Sequence, residues 1–63
     1  MTNEERAELI EHARKLDEAA ASLRETAKKG KYSRERTHAH ASATSYEIEA
    51  VWLRGFLKRN EAA

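Results

Sequence analysis

The side chains best suited to metal binding or proton transfer lie in "THAHAS", residues 37–42, where His38 and His40 stand two apart. On a strand they would share a face, but on a helix they point about 160° apart and cannot both ligate one metal within a chain. His12 lies far from them in sequence, so it would meet His38 or His40 only from another subunit of a head-to-tail dimer, with Glu8 or Glu11 adding a carboxylate. The expectation is therefore surface histidines, with no metal and no other cofactor. No cysteine supplies a thiolate or a disulfide. No nucleophile stands beside a positioned base, no carboxylates pair in an apolar setting, and no glycine-rich loop could cradle a phosphate. Ser42, Thr44 and Ser45 read as small residues at packed or capping positions. The chain is expected not to be an enzyme.

Two other stretches carry recognition chemistry. In "KKGKYSRER", the cations Lys28, Lys29, Lys31, Arg34 and Arg36 surround Tyr32, a grouping that could grip phosphates and stack a base on the ring. The opposing reading is a solvated turn whose lysines complement a helix C-terminus, with Glu25 placed to pair with Lys29. In "EIEAVWLRGF", residues 47–56, five large apolar side chains fall in ten positions. Ile48, Val51, Trp52 and Gly55 group on one side of a helix, about 170° from a second apolar face on the same helix. Phe56 lies between the two faces, and Ile10 lies level with Trp52. Ile48, Val51, Trp52 and Phe56 are expected to stay largely wet unless another protein covers them. Tryptophan suits an interface anchor, and Gly55 would admit a close partner.

The elements that position these residues follow from caps and periodicity. "TNEE" offers a capping box between Thr2 and Glu5, and Gly30 follows Lys28 and Lys29 as a stop in the left-handed conformation. The first helix is expected over about residues 3–28. Within it, Leu9, Ala13, Leu16, Ala20, Leu23 and Ala27 repeat at spacings of 4 and 3, as do Ala39, Ala43, Tyr46, Ala50, Leu53 and Leu57 further on. The second helix is expected over about 33–59 with Ser33 as its cap. A rival start at the "TSYE" box of Thr44 and Glu47 would leave residues 31–43 as an uncommonly long loop.

Folding back at "GKYS" pairs residues whose numbers sum to 62 or 63. Leu9 then meets Leu53, Leu16 meets Tyr46 and Leu23 meets Ala39, while Ala13 meets Ala50 and Ala20 meets Ala43. Large layers alternate with alanine layers, which let helices approach closely. The fold class is an all-α antiparallel two-helix hairpin, one domain over 1–63, dimerising into a four-helix bundle. A 63-residue chain is marginal alone, and self-association is the available staple.

The length, the two-helix layout and the alanine and leucine layers resemble the ROP-type RNA-binding hairpin, which dimerises into a four-helix bundle. The resemblance implies a dimer. In that family RNA is held by polar and basic residues outside the first helix. The corresponding Asn3, Ile10, Arg14, Glu18 and Glu25 form no basic face here, so the RNA role does not carry over.

Charge is segregated. Residues 1–27 hold seven acids and four bases, net −3; residues 28–36 hold five bases and one acid, net +4; residues 37–63 balance three against three. No stretch is apolar enough to span a membrane and the acidic start does not read as a secretory signal, so a cytoplasmic location is expected. The alanine-rich, arginine-biased composition suits an accessory or regulatory protein of a high-GC bacterium or its phage. The leading functional expectation is a self-associating module that binds a protein through the apolar stripe. The alternative is a small nucleic-acid-binding regulator that uses the basic turn.

Overall fold

The computed structural model describes residues 1–61, which form helix α1 (Asn3–Lys29) and helix α2 (Ser33–Arg59) joined by a turn of three residues. Each 27-residue helix is roughly 40 Å long. Contacts between the helices descend along α2 as they ascend along α1: Arg6 donates to the Leu57 carbonyl, His12 faces Glu49, and Arg24 faces His40. The helices are therefore antiparallel, and those pairs sum to 61–64, as the paired seams require. No helix among the described residues is long and apolar enough to cross a membrane.

The N-terminus of α1 is held as its sequence predicts. The Glu5 amide donates to Thr2 Oγ1 at 3.0 Å, and the Thr2 amide donates to Glu5 Oε1 at 2.8 Å. Four orphan amides at a helix start are costly, and this reciprocal pair satisfies two donors. The other ends differ from expectation. Gly30 is extended, with φ −63° and ψ 131°, rather than left-handed. Its lack of a side chain instead admits Arg36: a Cβ there would lie 2.9 Å from Arg36 Cγ, and Arg36 Nη1 donates to the Gly30 carbonyl at 3.0 Å. Tyr32, not Ser33, is the N-cap of α2, and it makes no side-chain cap bond. The "TSYE" box is not used as a cap, because Thr44 and Glu47 lie inside α2 and both receive Arg24.

The core is narrow. It consists of Ala13, Leu16, Ala20 and Ala27 from α1 with Ala39, Ala43, Ala50, Leu53 and Leu57 from α2, and Leu9 packs against the Ala13, Leu16, Ala50 and Leu53 cluster. Three leucines are thus the only large side chains buried among the described residues. Leu23 is half-buried. Tyr46, expected opposite Leu16, is 39% exposed instead. Alanine layers on both sides draw the helices together, and a tyrosine there keeps its polar tip in water while the rest of the side chain is covered.

Candidate interaction surface

The surface is built on α2, on the side turned away from α1. One helix can cover only one face of another, so the residues about 180° from Ala43, Ala50, Leu53 and Leu57 have no partner within the hairpin. Ile48, Val51 and Trp52 are 64%, 69% and 60% exposed. As many large apolar side chains thus stand on this outer face as are buried in the core. Phe56 departs from expectation: it is half-buried, on the flank of the hairpin. It stacks on Trp52, one turn back, with ring centroids 5.7 Å apart and planes 16° from parallel. The pair holds the indole at the surface in a defined orientation.

The stripe is longer than its large residues suggest. Ala41, Ser45, Ile48, Trp52 and Gly55 follow spacings of 4, 3, 4 and 3, a second heptad on the same helix. Ala41, Thr44 and Ser45 are exposed like Ile48 and Trp52. From Thr37 to Phe56 this face carries no Lys, Arg, Asp or Glu, and charge returns at Arg34 and Arg59 on either end. The small members were masked in the sequence by their weak hydrophobicity; only their spacing marks them. A shallow groove of about 220 Å³ runs along one edge of the face, between Thr44, Ile48 and Val51 and the flanking Glu47. At Gly55 a Cβ would meet only the Arg59 guanidinium, at 3.2 Å.

Ile10 does not join this patch. It lies seven residues from Asp17, hence on the same side of α1, and Asp17 bridges to Arg54. Phe56 lies seven residues from Glu49, which faces His12 on the other side of the seam at 3.8 Å. Ile10, 52% exposed, and Phe56 therefore lie on opposite flanks of the hairpin.

Flanking the surface is a charged clamp that the sequence reading missed. Arg24 donates to both carboxylate oxygens of Glu47, to Thr44 Oγ1 at 3.3 Å and to His40 Nδ1 at 3.0 Å. The guanidinium holds the Glu47 carboxyl below the ordinary glutamate range and is itself raised by it. This arrangement also places His40 on α2's flank. His38 is separate from it, and the described residues bring no three potential ligands together around a metal. A second open hollow, of about 470 Å³, lies along α1 between Ala7, Glu8, Glu11, His12 and Lys15.

At the turn, the five cations do not form one free cluster. Lys28 pairs with Glu25 at 3.2 Å, in place of the expected Lys29, and Arg36 is held by the Gly30 carbonyl. Lys31 lies 5.7 Å from the centre of the Tyr32 ring and so occupies one of its faces. Lys29 and Arg34 are exposed.

Comparison with protein-family models, with curated proteins and with solved structures returns no match to this chain.

Proposed function

We propose that the protein is a non-enzymatic interaction module that self-associates through the outer face of α2, with Trp52 as its anchor. The observation that supports this reading is the exposure of Ile48, Val51 and Trp52 on a hairpin whose core buries only three leucines. Burying each large side chain is worth roughly 1.5–3 kcal/mol, a sizeable share of the stability of so small a domain. A second copy covering the stripe recovers that term twice over, and twofold dimers are the commonest small assemblies. The product is a four-helix assembly whose free flanks and turns meet other proteins of its pathway.

The basic turn, where the alternative of nucleic-acid binding would reside, is not part of this reading: Lys28 pairs with Glu25 and Arg36 donates to the Gly30 carbonyl, while Lys29 and Arg34 stay exposed. Light scattering from micromolar to millimolar protein tests the proposal. The native chain should give the mass of two copies, and Trp52→Ala that of one with most helicity retained. A native mass of one copy throughout that range sinks self-association.

A further inference from the structure

We propose that the two copies pack α2 against α2 in an antiparallel twofold pair, in the register where facing residue numbers sum to 100. This rests on the self-association proposed above and specifies its geometry. In that register Trp52 lies over Ile48 of the second copy, Ser45 faces Gly55, and Arg59 lies over Ala41.

Self-complementarity points to a second copy as the occupant. Ile48, Val51 and Trp52 are exposed along one face of α2, and that face read against itself in the register of 100 sets Trp52 on Ile48 and Ser45 on Gly55, the isologous match that a twofold pair requires.

Charge chooses the orientation. In a parallel pair Arg34 would face Arg34 of the second copy and Arg59 would face Arg59, setting like charges at both ends. Antiparallel pairing one heptad away, with sums of 93, sets Arg59 against Arg34. The opposite slide, with sums of 107, buries Arg59 over Ile48. Only the register of 100 places large residues on large, small on small and every arginine of the stripe clear of another. This register also brings Glu49 toward its own copy, but at the exposed rim, where charges are solvated and screened and their repulsion is small.

Because the stripe lies about 180° from the α1 seam, the four helices would lie side by side in the order α1, α2, α2, α1. That is a flat layer, distinct from a square bundle in which each helix contacts two neighbours about 90° apart. The outer faces of both α1 helices remain open at the edges.

The chain has no cysteine, so disulfide trapping reads the register directly. Ser45→Cys and Gly55→Cys are made as separate single variants, checked for native helicity by circular dichroism and for mass by light scattering under reducing conditions. They are then equilibrated in a glutathione redox buffer, singly and mixed. The mixture is expected to give a covalent dimer in high yield, with little from either variant alone. Self-crosslinking of Gly55→Cys or Ser45→Cys alone overturns the antiparallel register while leaving the dimer standing. A reduced mass of one copy for the native protein overturns self-association itself. Thr44→Cys with Lys58→Cys, on the adjoining flank, provides a second pair should Gly55→Cys perturb the helix. A native dimer that traps through neither pair also overturns the register.

Discussion

Arg24 of α1 holds Glu47 of α2 through two parallel hydrogen bonds, with Nε 3.1 Å from Oε2 and Nη2 on Oε1. Seven residues away on each helix the same relationship recurs with its polarity reversed, where Arg54 of α2 reaches Asp17 of α1. Both pairs sum to 71. The alanine and leucine layers alone would accept a slide of one heptad. Such a slide would set Asp17 against Glu47 or Arg24 against Arg54, so these pairs specify register by penalising its neighbours.

Charge reversal tests that role. Arg24→Glu should lower the melting temperature by several degrees, because it adds repulsion from Glu47 while removing the bonds to Thr44 and His40. Adding Glu47→Arg should recover most of the loss. Thermal melts of the native, single and double variants form the cycle, and a double variant no better than the worse single refutes direct coupling.

Gly55→Ala should stabilise the monomer. The added methyl meets only the mobile Arg59 guanidinium, and alanine is favoured over glycine in a helix interior by about 1 kcal/mol. The substitution belongs in a Trp52→Ala background, where association does not mask the effect. The melting temperature there should rise; a fall would mean that Gly55 serves packing within the hairpin.

The hairpin is legible in the sequence because two seams of 4 and 3 spacing agree independently in register, from Leu9 with Leu53 to Ala20 with Ala43. The start of α1 is legible because a capping box is local, its partners three residues apart. The turn is less so. Gly30 suggests a left-handed stop by its type, yet its role is set by Arg36, six residues on, whose path no local pattern reveals. Tyr46 satisfies the heptad spacing, but whether a ring fits the seam depends on how close the helices come, which all the alanine layers decide together. The sum of 71 shared by Arg24 with Glu47 and Asp17 with Arg54 departs from the fold-back sum of 62 or 63, because long arginine side chains reach diagonally along the partner helix. The fold-back therefore does not name these partners, and opposite charges on two exposed faces are too common to do so.

Acid should destabilise the fold through its carboxylates. Glu5, Glu11 and Glu47 are all held below their ordinary value of 4.5, by the Thr2 amide, by Arg14 and by Arg24 respectively. A carboxyl with a depressed folded-state value binds fewer protons folded than unfolded near pH 4, so its contribution is complete above about pH 4.5 and lost as pH falls through the lower folded value. The melting temperature attributable to these groups should be level from pH 7 to 5 and decline below 4.5. Glu47→Gln should flatten part of that decline, and an unchanged acid limb would show that the Arg24 pairing contributes nothing to it.

Gly30→Ala should have opposite signs in two backgrounds. Its φ of −63° is open to alanine, and replacing glycine at a compatible position restricts the unfolded chain, worth about 0.4–1 kcal/mol of stability. The cost is steric: the new Cβ would lie 2.9 Å from Arg36 Cγ, an atom near the start of the side chain that cannot swing clear without moving the guanidinium off the Gly30 carbonyl. In the native background the clash and the lost bond outweigh the entropic gain, and the melting temperature should fall. With Arg36→Ala already in place the obstructing Cγ is gone, and the same Gly30→Ala change should raise it. Four melts decide the matter: a fall of equal size in both backgrounds would mean that the backbone at residue 30, not the passage of Arg36, requires glycine.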